Sequence, residues 1–319
     1  MRSRHTARAI RKREQQPTGR RRRVWEQFFL IENACVNNLK NISVRIPKGV
    51  LTCITGVAGC GKSSLIHACF VPQHPEACVI DQEPIGRTSR GNIVTYLGVF
   101  NHIRKLFAQA SGQELSLFSF NAEGACPKCE GRGFLSYEMS FLDAVRTRCD
   151  CCGGKRYNPT ALSFHYRGKD ISEVLEMTVG DALQFFSDVP AILRQLSLLE
   201  EVGLGYLTLG QSLSSLSGGE SQRLKIATEL KKKGGIYVMD EPTTGLHMND
   251  IDQFFKIVTR LVDAGNTVVI IEHNLDIIRR ADWIIDLGPE GGKDGGRVLF
   301  EGTPEDASRC PLSVTGKYI

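Results

Sequence analysis

Short, strongly apolar runs recur along the chain, and most of them end in glycine or in a polar side chain. Their β-branched composition is typical of strands buried in a sheet, and they cover residues 50–55, 78–82, 236–241 and 267–273. Between them the apolar side chains follow helical spacing over residues 99–110, 171–203 and 249–264. Strands that alternate with helices predict an α/β fold with a largely parallel sheet.

The two ends of the patterned region have a different character. Residues 42–46 alternate apolar and polar positions, as a half-exposed strand does, and we expect two strands within residues 25–46. Residues 283–287 and 297–300 predict two closing strands.

Residues 120–156 are rich in Gly and Cys and contain no long periodic segment, which indicates a small module held by a metal. No internal repeat is visible.

A glycine-rich loop separates the first buried strand from a segment that begins like a helix. It reads G-x-x-x-x-G-K-S and comprises Gly56, Val57, Ala58, Gly59, Cys60, Gly61, Lys62, Ser63 and Ser64. Strand, glycine loop and helix are the context of a phosphate-binding loop, in which backbone N–H groups and the helix N-terminus surround the phosphates. Lys62 would reach the β- and γ-phosphates, and the Ser63 hydroxyl would ligate Mg²⁺.

Three further elements point to nucleotide chemistry. Asp240 and Glu241 follow a buried strand, where Asp240 would hold Mg²⁺ and Glu241 would polarise an attacking water. His273, which ends the last long strand, is placed to contact the γ-phosphate. A second anion cradle opens a later helix with Ser217, Gly218, Gly219 and Glu220. Because one site rarely needs two glycine cradles, this second one would face a nucleotide held by a different protein unit.

The cysteines divide into a cluster with metal spacing and scattered thiols. An odd count of 11 beside a nucleotide loop argues for reduced thiols. Cys126, Cys129, Cys149 and Cys152 form C-x₂-C-x₁₉-C-x₂-C, close to the spacing of a four-thiolate zinc site. The alternative is a set of reduced structural thiols, and Cys151 is a spare thiol. Four protein ligands would make the zinc structural rather than catalytic.

Charge is distributed unevenly along the chain. The formal net charge is +5, but residues 1–23 hold ten Lys/Arg and one acidic residue, so the remainder carries −4. The basic tail is typical of a disordered solvated arm, although it would also bind a polyanion. No apolar run is long enough to span a bilayer, and the N-terminus lacks the apolar core of a signal peptide. We therefore expect a cytoplasmic protein without membrane insertion.

In this order, the phosphate loop, Gln82, the LSGGE segment, the strand with Asp240 and Glu241, and His273 resemble an ATP-binding cassette of the ABC class. The resemblance implies that Gln82 is the Q-loop glutamine, that His273 is the switch histidine and that residues 243–247 stand at the dimer-contacting D-loop. In that class two cassettes close head to tail on two ATP molecules. Ser217, Gly218, Gly219 and Glu220 would thus complete the partner's site.

The zinc module inside the cassette narrows the resemblance to the UvrA family, the damage-recognition ATPases of bacterial nucleotide excision repair. Matching segments are residues 37–41, 52–57, 81–82, 84–88, 118–121, 154–157, 241–247, 271–276 and 281–289. The similarity covers about residues 28–305 and corresponds to the second, C-terminal cassette. It implies an ABC-type P-loop ATPase core with a helical signature subdomain and an inserted zinc-binding module, with ATP, Mg²⁺ and Zn²⁺ as cofactors.

The expected domain organisation follows from these motifs. We predict a basic tail over 1–23, a first part of the ATP-binding core over 24–98, an inserted helical and zinc region over 99–212 with the zinc module at about 120–157, a second part of the core with the signature over 213–305, and a C-terminal tail over 306–319.

The resemblance implies an ATPase that couples hydrolysis to DNA binding. Candidate DNA contacts are Arg87, Arg90, Lys128, Arg132, Arg146, Arg148, Lys155 and Arg156, which would bind phosphates without reading sequence. The alternative for each of them is a solvated basic face. The partner would be a second cassette, supplied by a homodimer or by another chain.

The chain also departs from the family pattern. It has one cassette where UvrA has two, and with the first cassette it lacks the domains that bind UvrB, which gives a UvrB-type contact little support. Ala58 and Cys60 stand where the family usually has serines. These departures favour a short UvrA-like paralogue, half of a split pair or a truncated product. The functional alternatives are a drug-resistance or transport accessory ATPase without a DNA role, and an inert remnant that binds nucleotide without turnover.

Overall fold

The computed structural model describes residues 23–81, 83, 85, 90–139, 142–230, 233–244, 246 and 248–319. Its strands are β1 Phe28–Ala34, β2 Ile42–Pro47, β3 Leu51–Gly56, β4 Cys78–Ile80, β5 Phe134–Met139, β6 Leu142–Arg148, β7 Ile236–Asp240, β8 Thr267–Ile271, β9 Trp283–Gly288 and β10 Arg297–Gly302.

The helices lie between these strands and over the region from residue 93 to 229. They are α1 (π-helical over Ser64–Phe70 and α-helical over Val71–Gln73), α2 Ile93–Tyr96, α3 Phe100–Ser111, α4 Pro159–Leu162, α5 Ile171–Glu176, α6 Val179–Phe185, α7 Pro190–Glu201, α8 Gly218–Glu229, α9 Met248–Asp263, α10 Leu275–Ile278 and α11 Pro304–Ala307. Short 3₁₀ turns cover Leu115–Phe118, Leu213–Ser215, Gly292–Asp294 and Thr315–Tyr318.

Among the described residues, six strands form the central sheet, in the spatial order β10–β9–β3–β8–β7–β4. The pairs β9–β3, β3–β8, β8–β7 and β7–β4 are parallel, and β10 joins β9 in an antiparallel direction. The predictions of an α/β fold and a largely parallel sheet are confirmed. Because parallel strands run the same way, the loops that follow β3, β7 and β8 leave the sheet at one edge.

The buried strands separate two apolar cores. Val268 and Ile270 of β8 pack into the larger core, which includes the helices over residues 93–229, whereas Val269 and Ile271 pack into a second core with β2 and α1. Successive side chains of a strand face opposite sides of the sheet, so a strand covered on both faces is apolar throughout. This explains why these strands read as continuous apolar runs instead of alternating ones.

Two parts of the chain show detail that the sequence did not predict. The helical spacing over 171–203 is confirmed, and it divides into three helices because Met177 is extended, Thr178 caps α6, and Pro190 opens α7. Within 120–156 the strands β5 and β6 pair as an antiparallel hairpin, which the Gly- and Cys-rich composition did not indicate. These two strands are short and lie in a stretch without a long period.

The described N-terminal segment joins the body at the end of the sheet opposite the glycine loop. The Arg23 guanidinium donates to Asp282 at 2.8 Å and to Asp263 at 2.6 Å, and Asp282 also accepts the N–H of Leu51 at the start of β3. The ring of Trp25 meets Trp283 edge to face. Residues 1–22 of the predicted basic tail lie outside the described residues. In the described part of the chain, no helix combines the length and apolar character needed to cross a membrane.

Candidate functional site

The glycine loop connects the end of β3 to α1, and two of its glycines are required by the geometry. Gly56 has a φ of +127°, and a Cβ built on it would lie 2.0 Å from the carbonyl oxygen of Leu287. Gly61 has a φ of +108°, and its Cβ would lie 2.7 Å from the Leu39 side chain. Only glycine fits these positions, since other residues would be strained and would clash.

Lys62 points back into the loop. Its side chain is buried, with 6% exposure, and its ammonium donates to the carbonyls of Gly56 at 3.0 Å and Val57 at 2.9 Å. A buried ammonium needs acceptors, and here the loop itself provides them. The ammonium of Lys62 is thus held against the loop by two of the loop's own backbone carbonyls.

Asparagine side chains brace this loop from outside, which the sequence analysis missed. The Asn38 amide donates to Gly59 O at 2.9 Å and to Gly292 O at 3.2 Å, and Asn37 donates to the Ser64 hydroxyl at 3.0 Å. The N–H of Gly292 also donates to Gly59 O at 3.0 Å. In the sequence, Asn37 and Asn38 are part of a segment that carries the family resemblance, without a role of their own. Ser63, which is exposed, lies at the start of the helix beside them.

Asp240 ends β7 and meets a residue that sequence reasoning did not single out. Its carboxylate contacts the Nε2 of His67 at 3.2 Å. His67 lies on α1, one helical turn after the glycine loop. The hydrogen bond to the Asp240 carboxylate raises the pKa of His67 above its ordinary value, more than partial burial lowers it. The structure therefore places a histidine on the carboxylate that the sequence assigned to Mg²⁺.

Glu241 and His273 come together at the same edge of the sheet. The Glu241 carboxylate lies 3.3 Å from His273 Nε2, and the two side chains are 49% and 45% exposed. Glu241 has a φ of +43°, and its N–H donates to Ile271 O at 2.9 Å. A left-handed non-glycine residue is uncommon and marks a locally constrained turn. The pairing joins two candidate catalytic residues that are 32 positions apart in sequence.

The serine–glycine cradle has the predicted helix start. Ser217 caps α8, with its hydroxyl accepting from the N–H of Glu220, while the Glu220 carboxylate accepts from the N–H of Ser217. Tyr206 OH donates to Glu220 at 2.6 Å. Burial opposes ionisation of Glu220, but the hydrogen bonds from Tyr206 and Ser217 outweigh it, so the pKa of Glu220 is lowered. Gly218 and Gly219 form the first turn beside this exposed serine.

Helix α8 is tied to the end of β4. Lys225 Nζ contacts the Asp81 carboxylate at 2.5 Å and Glu83 O at 2.9 Å, and Gln222 donates to Ile80 O at 3.4 Å. These contacts flank Gln82, which lies outside the described residues. Gly245 and His247 of the predicted D-loop, and Arg87, also lie outside them.

The four cysteines of the predicted metal site converge. The sulfurs of Cys126, Cys129, Cys149 and Cys152 all lie within 4.8 Å of one another, with Cys126–Cys149 at 4.0 Å and Cys129–Cys152 at 3.7 Å. Four thiolates bound to one tetrahedral zinc at about 2.3 Å stand about 3.8 Å apart, so the residues fit this metal. Cys151 is exposed and lies outside the group. The side chain of Leu135 on β5 packs against the cluster.

Several candidate DNA contacts are engaged in ion pairs. Lys128 pairs with Asp150 at 2.7 Å, Arg132 with Glu130 at 2.9 Å and Lys155 with Asp170 at 3.3 Å. Arg90 lies 3.5 Å from Glu130. Asp170 is buried, whereas Glu130 and Asp150 are exposed. Exposed pairs are weak, so a phosphate would compete with Glu130 and Asp150.

Three arginines of the same set make structural contacts. Arg148 donates to Gly153 O at 2.6 Å, and the Arg146 guanidinium lies 4.8 Å from the centre of the Phe134 ring. Arg156 lies 3.6 Å from the centre of the Phe120 ring and donates to Gly131 O at 2.7 Å and to Arg90 O at 3.2 Å. Burial lowers the pKa of Arg156. Its contacts tie the cysteine module to the segment after β4.

Comparison with known proteins agrees with this geometry. A family model described as ABC transporter matches residues 39–244. UvrABC system protein A of Aquifex aeolicus (strain VF5) is 49% identical over 331 aligned residues, which cover 94% of this chain and 36% of the relative. UvrABC system protein A of Vibrio cholerae serotype O1 is 48% identical, covering 91% of this chain and 34% of the relative.

A solved structure is similar over nearly the whole chain. The crystal structure of UvrA2 from Deinococcus radiodurans superposes with a TM-score of 0.87 at 43% identity, covering 93% of this chain and 40% of that protein. The chain spans about a third of the length of the curated relatives that it matches.

Proposed function

This chain belongs to the ABC transporter family and is an ABC-type ATPase homologous to UvrABC system protein A; from that premise we propose that it couples ATP hydrolysis to DNA binding in nucleotide excision repair. The observation that carries the proposal is the Glu241–His273 pair, at 3.3 Å, on the sheet edge where β3 delivers the glycine loop. At this one edge lie the glycine loop as the proposed phosphate cradle, Asp240 as the proposed metal-binding carboxylate and Glu241 as the proposed base.

The residues have distinct roles in the proposed site. Backbone N–H groups of the glycine loop would bind phosphate oxygens, and Lys62 would exchange its two carbonyl acceptors for the β- and γ-phosphates. Ser63 and Asp240 would hold Mg²⁺, which when bound neutralises phosphate charge. Glu241 would orient and polarise the attacking water, with His273 contacting the γ-phosphate and Gln82 assisting from the Q-loop.

The second half of each site would come from another cassette. The hydroxyl of Ser217 is exposed at a helix N-terminus, and the first turn behind it contains Gly218 and Gly219. A helix start with exposed N–H groups favours an anion. We propose that this cradle, whose cap Ser217 is held by Glu220, closes on ATP bound to a second cassette, in a homodimer or with another chain.

The DNA part of the proposal depends on surface cations near the cysteine module. Arg90, Lys128, Arg132 and Lys155 are the candidates with exposed charge, and Arg87, a further candidate, lies outside the described residues. The weak ion pairs of Arg90, Lys128 and Arg132 with exposed carboxylates would exchange for DNA phosphates. We assign Arg156 and Arg148 to holding the module together, because their guanidiniums already bind backbone carbonyls. The zinc would be structural, and the expected location is the cytoplasm.

The alternatives have less support. The relatives named above are UvrABC system A proteins, so neither a drug-resistance or transport accessory nor an inert remnant is favoured. A contact with a UvrB-type partner is not part of the proposal.

Steady-state ATP turnover, titrated with duplex DNA at low and moderate salt, tests the proposal. Glu241→Gln serves as the blank, because it keeps the shape of the side chain and removes the base. We expect turnover that DNA changes, with an effect that fades as salt rises. Turnover indifferent to DNA would refute the DNA part, and no turnover above the blank in the isolated chain would refute hydrolysis by a homodimer.

A further inference from the structure

A buried carboxylate, that of Glu272, lies next to the Glu241–His273 pair. Glu272 follows β8 and is 2% exposed. One carboxylate oxygen, Oε1, accepts from the N–H of Thr243 at 3.1 Å and from the Thr243 hydroxyl. The other, Oε2, accepts from the N–H of His273 at 2.7 Å and from the N–H of Asn274 at 2.7 Å.

These four donors explain how the protein tolerates a carboxylate at this depth. Burying a charge is costly unless hydrogen bonds replace its hydration. Donors on both oxygens satisfy the ionised form, which accepts and does not donate. Three of the donors are backbone N–H groups, so the carboxylate fixes main-chain segments and not just one side chain.

The two segments held in this way are the ones that carry the candidate catalytic groups. Thr243 lies two residues after Glu241, in a turn where Thr244 N–H donates to Glu241 O at 3.1 Å. His273 is itself a donor to the carboxylate. The N–H of Glu272 in turn donates to Ile54 O of β3, the strand that leads to the glycine loop, at 3.1 Å.

We propose that Glu272 is a positioning residue: it sets the geometry of Glu241 relative to His273 by joining the turn after β7 to the segment after β8. This inference rests on the proposed function, because it assumes that Glu241 and His273 act on ATP. The left-handed backbone of Glu241 is consistent with the role, since a strained turn persists only when surrounding contacts hold it. We call the hydrogen bonds of the Glu272 carboxylate the clamp. Without the clamp, the turn after β7 and the segment after β8 would move independently, while the glycine loop would stay in place.

Thr243 offers a matched pair of variants that leaves the buried carboxylate in place. Thr243→Val keeps the shape of the side chain and removes the hydroxyl donor, whereas Thr243→Ser keeps the donor and removes a methyl group. We expect Thr243→Val to lower kcat about 10- to 100-fold, the scale of small displacements of catalytic groups, with the KM for ATP little changed. Thr243→Ser should retain most of the turnover. Equal kcat values in the two variants would overturn the proposal.

Amide hydrogen exchange provides a readout that does not need turnover. In Glu272→Gln the N–H groups of Thr243, His273 and Asn274 should exchange faster than in the wild type, with the melting temperature recorded alongside. Unchanged protection at all three would overturn the clamp. If the wild type itself shows no turnover above the Glu241→Gln blank, the proposed function fails, while the exchange result still decides for or against the clamp.

Discussion

Three carboxylates at the ends of β7 and β8 differ in what their surroundings allow them to do. Glu272 is buried under four donors and is fixed. Asp240 is half-exposed and shares a hydrogen bond with His67, and Glu241 is half-exposed and faces His273. Exposure leaves the last two available to a ligand, whereas burial makes the first a part of the framework. Carboxylates at the ends of two neighbouring strands thus differ in how far a ligand could reach them.

The pairing of His67 with Asp240 predicts a pH-dependent contribution to stability. The folded-state pKa of His67 is raised above its unfolded value near 6.5. The stabilisation is therefore fully present below about pH 6.5 and is lost as the pH rises through the raised pKa. Without added Mg²⁺, wild type should melt above His67→Asn at pH 6, and the gap should narrow toward pH 8.5. A gap that widens with pH would contradict the assigned contact.

At the scale of elements, we expect the cysteine module to depend on a bound metal more than on an apolar core. Among the described side chains of the hairpin β5–β6, Leu135 packs against the four thiols, and Arg156 holds the module to the segment after β4. A two-stranded hairpin is marginally stable alone. Bound zinc would supply the missing stability, since metal binding and folding are coupled in small modules.

Cys149 and Cys151 provide a test with a built-in control. Cys149 is a buried member of the cluster, and Cys151 is exposed outside it. Cys149→Ser should lose bound zinc and speed amide exchange in β5 and β6, with little change in β3. Cys151→Ser should keep about one zinc per chain and normal exchange. Metal analysis and exchange on the same samples decide the point; zinc lost equally from both variants would be inconsistent with this ligand set.

At the scale of the whole molecule, the two proposed anion cradles of one chain are held by different contacts. The glycine loop is braced by Asn38 and by the turn after β9, while the described hydrogen bonds of the Ser217 side chain are local to α8. Lys225 and Gln222 connect α8 to the end of β4, next to Gln82. Asp81 and Glu83, on either side of Gln82, are thus hydrogen-bonded directly to the helix that begins at the Ser217 cradle.

A composite site predicts association that depends on nucleotide. Glu241→Gln should form dimers with ATP–Mg²⁺ and remain monomeric with ADP, because blocked hydrolysis traps the closed pair. The double variant Lys62→Ala, Glu241→Gln should stay monomeric in both, since it lacks the ammonium that binds phosphate. Light scattering coupled to size exclusion measures the mass in each condition. A strictly monomeric Glu241→Gln variant at saturating ATP would contradict a homodimeric site.

The sequence by itself determined the features that depend on neighbours along the chain. β-Branched runs predicted the buried strands, the serine–glycine segment predicted a helix start at Ser217, and the cysteine spacing predicted the four-sulfur cluster. These features arise from local backbone preferences and short-range spacing. The domain bounds and the roles of the site residues stay predictions.

Only the tertiary structure decided which distant groups meet and which charges are available. The contacts of His67 with Asp240, Glu272 with Thr243 and Lys225 with Asp81 join positions 173, 29 and 144 residues apart. Packing of strands and helices creates such contacts, and no local pattern encodes them. The same packing places the Arg156 guanidinium within hydrogen-bond distance of backbone carbonyls, although the sequence made Arg156 a candidate DNA contact on the surface. The sequence shows which residues are charged. Whether a charged side chain is available to a ligand depends on the partners that folding brings within hydrogen-bond distance.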